Sequence, residues 1–285
     1  MSTATRGADT SRTQGTAPLL AVADVTKKFE TPDGVVTAVD HMSFDVAPGE
    51  FLAVIGPSGC GKSTLFNIIG GLLDGYEGSV WVAGETVKGP HASIGMVFQE
   101  ESTFPWRTVS ENVAFPLEIA GMPKAKRIER AKHFIDLVGL TGFERRYPAE
   151  LSGGMRQRVA IARTLASEPK ILLMDEPFGA LDEQTRLLLG DKVLQIQDQL
   201  KQTCLLITHN ITEAVQLADR VLVMTYRPGR LKRMVAIDLP RPRSSEIVSS
   251  DAFGHYIAQI WGDLREEASR GMRDDEEQML HEHKP

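Results

Sequence analysis

The sequence predicts an α/β protein built on a mainly parallel sheet with helices on its faces, and three observations lead there. Four short runs, residues 51–55, 171–174, 203–208 and 221–224, are almost continuously apolar, as strands covered on both sides are. The first run leads into a glycine-rich loop, and then Leu65, Ile68, Ile69 and Leu72 follow at the spacing of an amphipathic helix. The chain has 285 residues, 42% hydrophobic and 25% charged, which suffices for one substantial core with an inserted or appended subdomain.

Residues 1–18, rich in Ser, Thr, Gly and Ala, lack the unbroken apolar stretch of a secretory signal and are expected to form a flexible leader. Residues 19–25, 35–39 and 42–46 are short β-like runs, with a Thr-Pro-Asp-Gly turn at 31–34. They predict an antiparallel layer. Between 99 and 151 the strand pattern vanishes: Ile128, Ala131, Ile135 and Val138 mark one face of a helix, and Thr108 with Glu111 forms a capping box. An inserted helical subdomain over about residues 100–165 is the expectation. Beyond Pro240 come Pro-Arg-Pro-Arg, an amphipathic segment at 253–264 and acidic residues at 274–277. They predict a C-terminal helix and a frayed acidic tail, so the chain divides into 1–18, 19–240 and 241–285.

A net charge of −6 argues against a nucleic-acid binder, which is usually basic overall or in one broad stripe. No apolar run approaches the roughly 20 residues needed to span a bilayer as a helix. Cys60 and Cys204 both sit in segments that read as buried or phosphate-facing, the usage of a reducing compartment, and neither makes a zinc site alone.

The chemistry is carried first by Gly56, Pro57, Ser58, Gly59, Cys60, Gly61, Lys62, Ser63 and Thr64, which fit G-x-x-x-x-G-K-[ST] between a strand and a helix. Glycines there let backbone N–H groups turn inward around the α- and β-phosphates, Lys62 reaches the β/γ oxygens, and Ser63 offers a hydroxyl to Mg²⁺. The bland alternative is a glycine turn that matches by chance; the strand before it and the helix after it weigh against that. The predicted core is therefore of the P-loop NTPase, RecA-like kind. The run at 171–174 ends in Asp175 and Glu176, the first placed to hold Mg²⁺ through water and the second to orient or deprotonate an attacking water. None of Asn67, Asn112 or Asn210 begins the Asn-Lys-x-Asp motif that reads guanine, so ATP is favoured over GTP. At 151–155, Leu-Ser-Gly-Gly-Met opens another helix: Ser152 can cap it, while Gly153 and Gly154 expose N–H groups. Two phosphate-binding ends in one chain suggest that chains pair.

These motifs make the sequence resemble the ATP-binding subunits of ABC transporters over roughly residues 19–232. The resemblance implies a head-to-tail homodimer in which Ser152, Gly153 and Gly154 act on the ATP held by the partner's phosphate loop. It also implies roles for Gln99, sensing Mg²⁺ and the attacking water, for His209, the switch histidine at the γ-phosphate, and for Asp182, in the Gly-Ala-Leu-Asp segment that crosses the dimer seam. Phe29 is placed like the aromatic that stacks on adenine, although a strand-end residue closing the core is nearly as good a reading. The signature ends here in Met155 instead of Gln, and Asn210 replaces the usual Asp after the histidine. Met155 is expected to face the ribose or its surroundings without supplying a bond, and neither change removes a catalytic group.

The segments Phe-Gln-Glu-Glu-Ser-Thr-Phe-Pro-Trp-Arg at 98–107, Met-Thr-Tyr-Arg-Pro-Gly-Arg at 224–230 and Leu-Pro-Arg-Pro-Arg at 239–243 resemble the importer branch serving nitrate, taurine and other sulfonates. That resemblance implies membrane permease subunits, an extracytoplasmic solute-binding protein, no nucleic acid, and a place on the cytoplasmic face of the plasma membrane. Phe104, Pro105 and Trp106 become candidate permease contacts, against the alternative that Trp106 fills the helical subdomain. Arg227, Arg230, Lys232, Arg233, Arg241 and Arg243 form a locally basic stretch, read as a solvated turn and strand edge ahead of a lipid-facing patch. The competing functions are the ATPase of an exporter or lipoprotein-releasing complex, and an ABC ATPase acting on nucleic acid. The latter usually carries two modules, cysteine pairs or basic inserts, and this chain has one module and two distant cysteines.

Overall fold

The computed structural model describes residues 17–32, 34–99, 102–179 and 181–282, with side chains to Arg273. Residues 1–16 of the expected leader, the Asp33 position of the first turn and the side chains of the acidic residues 274–277 lie outside the described set. In chain order the elements are β1 (Leu20–Thr31), β2 (Gly34–Val46), β3 (Phe51–Ile55), α1 (Lys62–Ile69), β4 (Glu77–Val82), β5 (Glu85–Thr86), β6 (Ile94–Val97), α2 (Val109–Ile119) and α3 (Lys124–Leu137). They continue with α4 (Gly153–Ala166), β7 (Ile171–Asp175), α5 (Glu183–Leu200), β8 (Thr203–Thr208), α6 (Ile211–Leu217), β9 (Arg220–Met224), β10 (Leu231–Ala236) and α7 (Asp251–Glu282).

Two sheets result. One is antiparallel, in the order β2-β1-β4-β5; the other runs β10-β9-β3-β8-β7-β6, parallel except for β10 at its edge. All residues of β3 and β8 are buried, which explains their unbroken apolar character. Alternate residues of β3 serve two cores: Phe51, Ala53 and Ile55 pack with the helices α2 to α7, while Leu52 and Val54 pack with α1 and the antiparallel sheet.

Several expectations are corrected. The runs 35–39 and 42–46 belong to one strand, because His41 adopts a left-handed conformation (φ 48°) beside a register shift. That bulge reverses the alternation, so Val39 and Met42 both face inward although they are three positions apart. Helix α1 stops at Ile69: Gly71 takes φ 72° and its N–H bonds to the Ile68 carbonyl, leaving Leu72 outside the helix and half exposed. On α3, Ala131 and Ile135 are buried and so is Val138 at its C-cap, but Ile128 is 44% exposed and marks the edge of the face rather than its centre. The C-terminal helix is longer than the amphipathic segment suggests, and its backbone stays helical through the acidic run to Glu282. The strands β4, β5, β6 and β10 went unmarked in the sequence because they are short or edge elements with mixed burial.

The Thr108/Glu111 capping box forms as expected: Glu111 N–H donates to Thr108 Oγ1 and Thr108 N–H to Glu111 Oε2. Among the described residues, no helix is long and apolar enough to cross a membrane.

Candidate nucleotide site

Strand register assembles the site. Val97 on β6 pairs with Met174 on β7, Asp175 pairs with Ile207 on β8, and Thr208 pairs with Ile55 on β3. Extending each strand by a residue or two therefore brings Gln99, Glu176, His209 and Gly56 to the same C-terminal edge of the parallel sheet. That edge is where open α/β sheets bind ligands.

Between β3 and α1 the phosphate loop closes on itself. Lys62, 7% exposed, donates from Nζ to the Gly56 and Pro57 carbonyls at 2.9 Å each. Gly59 and Gly61 have φ of 73° and 99°. Gly61 is doubly constrained, since a Cβ there would stand 2.4 Å from the Ala38 carbonyl oxygen. Cys60 points away from the loop's hollow into the core, fully buried, with burial pushing its thiol pKa up. Cys204 is likewise buried and free. Ser58, Gly59, Gly61, Lys62, Ser63 and Thr64 line a cleft of about 550 Å³, closed on the far side by Phe29, Thr31, Val36, Thr37 and Ala38 of the first hairpin and by Glu176 and Arg227. Phe29 is 37% exposed on that wall with Lys27 Nζ 5.0 Å from its ring, so it does not close the core.

Three predicted residues meet at one oxygen. Glu176 Oε2 lies 3.0 Å from His209 Nδ1 and accepts a 3.4 Å hydrogen bond from Gln99 Nε2. Glu176 itself holds φ 43°, unusual for a residue with a side chain, and its N–H is fixed by the Ile207 carbonyl at 2.8 Å. Asp175 is raised above the ordinary carboxylate range, by burial first and by the charge of Glu176 second, against a hydrogen bond from Ser63 and the charge of Lys62. Two carboxylates thus face a cation and a hydroxyl across one cleft. Glu101 and Glu100, after Gln99, and Ala180 in the Gly-Ala-Leu-Asp segment lie outside the described residues.

The other predicted residues lie elsewhere. Ser152, Gly153 and Gly154 open α4, where Ser152 Oγ accepts from Met155 N–H at 3.3 Å. Ser152 and Gly154 line a separate open depression with Arg158, Thr185 and the exposed Leu188. Asp182 caps α5, taking Thr185 N–H at 2.9 Å and Thr185 Oγ1–H at 2.7 Å, which together hold its pKa down; it does not touch the cleft. Met155 is partly buried and packs against the main core. Asn210 caps α6 by accepting Glu213 N–H at 3.0 Å, a task Asn performs as well as Asp. Trp106 is 71% exposed beside Phe104, 5.6 Å between rings, so it does not fill the helical region.

The basic stretch is internally neutralised. Arg230 pairs with Asp40, Lys232 with Glu266 and Glu267, Arg233 with Asp263 and Arg241 with Asp219. Arg243 is buried and donates to the carbonyls of Leu239, Ala218 and Ile237. The cleft position of Arg227 is what motif reading missed. Its contact with Gly59 spans 168 residues, and the only sequence signal is its place in Arg-Pro-Gly-Arg.

Comparison with known proteins agrees with this geometry. The family model described as ABC transporter matches residues 39–179. The nitrate import ATP-binding protein NrtD of Synechocystis is 47% identical over 252 residues, covering 86% of this chain and 95% of that protein. The aliphatic sulfonates import ATP-binding protein SsuB of Bacillus cereus is 44% identical over 241 residues, 84% of this chain and 94% of the relative. A solved dimeric, post-hydrolysis structure of the ATP-binding cassette MJ0796 with ADP and Pi matches with TM-score 0.68 and 31% identity, over 78% of this chain and 100% of that one. Sequence, fold and cleft together make this chain a member of the ABC transporter ATP-binding family, an ATPase whose relatives include nitrate and sulfonate import proteins.

Proposed function

We propose that the chain is the ATP-hydrolysing motor of an importer for a small anionic or zwitterionic solute of the sulfonate, taurine or nitrate type. It would work as a head-to-tail homodimer on the cytoplasmic face of the plasma membrane, with permease subunits and an extracytoplasmic solute-binding protein. The observation that carries the chemistry is the convergence of Gln99 and His209 on Glu176 Oε2, across the cleft from Lys62.

In this reading ATP lies with its base against Phe29 and its phosphates in the loop, and Lys62 leaves the Gly56 and Pro57 carbonyls to meet the β/γ oxygens. Glu176 holds the attacking water and accepts its proton through Oε2. His209 and Gln99 fix the orientation of that carboxylate, and His209 also reaches toward the γ-phosphate. Asp175, Ser63 and Gln99 suit Mg²⁺, since a carboxylate beside the Ser63 hydroxyl, with an amide oxygen, is the oxygen donor set that such a cation takes. Mg²⁺, when bound, supplies charge neutralisation to the β- and γ-phosphates. Ser152, Gly153 and Gly154, away from the cleft in their own chain, close the partner's site with N–H groups at the start of α4. Phe104, Pro105 and Trp106 face the permease, an exposed aromatic being a common interface anchor.

The test is uptake of taurine, alkanesulfonates and nitrate by cells carrying either the wild type or Glu176→Gln in place of the native gene. Loss of one uptake activity in the variant names the solute. Unchanged uptake, alongside ATPase activity of the purified wild type, would remove the importer reading in favour of export or a role outside transport.

A further inference from the structure

Of the six basic residues between 227 and 243, five lie within ion-pairing distance of a carboxylate, Arg243 among them while also sunk among carbonyls. Arg227 is different. Among the described residues no carboxylate lies within ion-pairing distance of it, and it lines the nucleotide cleft. Its Nε donates to the Gly59 carbonyl at 3.1 Å, and its Nη2 lies 2.9 Å from where a Gly59 Cβ would be. An uncompensated guanidinium therefore rests directly on the loop that cradles phosphate, with the donors of its planar fork not used by Gly59 free for an anion.

Its position is set from outside the cleft. The Tyr226 N–H donates at 3.0 Å to Glu267 of α7, a carboxylate 1% exposed that also receives Lys232 Nζ at 2.7 Å. Arg227 stands 5.8 Å from the Tyr226 ring, and that ring lies against Gly271, where a Cβ would come within 2.8 Å. Next to it, the Gly229 N–H bonds to the Ala38 carbonyl on the cleft wall at 3.0 Å. Helix α7 thus packs behind the segment that carries the free cation.

We infer that Arg227 is a nucleotide-binding residue that contacts the polyphosphate of ATP, and that α7 holds it there. This rests on the ATP reading of the cleft and adds to it a cation supplied from 168 residues away.

The experiment is equilibrium titration of the full chain with MgATP for wild type, Arg227→Gln, Arg227→Lys and Gly271→Leu, with folding checked by thermal denaturation. Arg227→Gln is expected to raise Kd about five- to tenfold, below the full value of a buried charge-assisted bond because the site is open to solvent. Arg227→Lys should recover most of that loss, since it keeps the charge. Gly271→Leu, remote from the cleft but pressing on Tyr226, should raise Kd about threefold. Wild-type affinity in Arg227→Gln would overturn the inference, and so would equal losses in the Gln and Lys variants, which would make the residue a brace for Gly59 only. Unchanged affinity in Gly271→Leu would detach α7 from it. A wild type that fails to bind MgATP would instead bring down the proposed function.

Discussion

The phosphate loop and the Leu-Ser-Gly-Gly segment are both glycine-rich starts of helices, yet they end up in opposite conditions. Around the loop, one chain lines a hollow with its first hairpin, Glu176 and Arg227. Around Ser152 there is an open depression whose polar groups face outward, with Leu188 exposed at its side. A site finished for binding and a site that lacks its occupant differ, in the proposed reading, in what a single chain can do: it binds nucleotide alone, and hydrolysis follows when two chains bring the halves together.

The largest effect expected falls on the finished half. Glu176→Gln keeps the shape of the cleft and should retain ATP binding while slowing hydrolysis by about 10²- to 10⁴-fold, the range for loss of a general base. Turnover near that of the wild type in steady-state phosphate release would displace Glu176 from its role. Next comes Lys62→Ala, which removes the lysine of the phosphate loop itself and should weaken nucleotide binding by about tenfold to a hundredfold in the isolated chain. If affinity measured by titration held, the loop would not be the phosphate cradle. Ser152→Ala acts on the unfinished half: binding by the single chain should be unaltered, while hydrolysis drops roughly tenfold and the α4 cap loses about 1 kcal/mol of stability. A change of ATP affinity at dilutions where chains are apart would erase the distinction between the halves.

The smallest expected effect separates site chemistry from scaffold. Glu213, 5% exposed behind His209 and hydrogen-bonded to Thr208, has its pKa raised to about 7 by burial. A carboxyl whose folded pKa exceeds its unfolded one binds more protons when native, so its contribution to stability is present below the ordinary glutamate pKa of 4.5 and falls as pH rises toward about 7. Thermal denaturation should therefore show Glu213→Gln gaining relative to the wild type between about pH 5 and about pH 8. Parallel melting curves for the two proteins over that interval would show that Glu213 does not titrate in it.

The same contrast explains what was legible in the sequence. The loop, the strand ending in Asp175 and Glu176, and the caps at Thr108 and Ser152 are local devices, each fixed by residues within about ten positions, and pattern reading finds such devices. The meeting of Gln99, Glu176 and His209 was implied by resemblance, while its cause, the register of three parallel strands, is visible only in the sheet. The bulge at His41, the early end of α1 before Leu72 and the exposure of Ile128 escaped because each depends on what packs opposite. Arg227 escaped for the same reason: six basic residues in a row of text look alike until their partners are known.

The central claim is that hydrolysis requires two chains joined across ATP, and light scattering of Glu176→Gln tests it most directly, because that variant should trap the closed pair. With saturating MgATP the mass should rise from the 31.3 kDa of one chain to twice that value, and fall back when the nucleotide is removed. A mass that remains that of a single chain while MgATP is demonstrably bound would contradict the account.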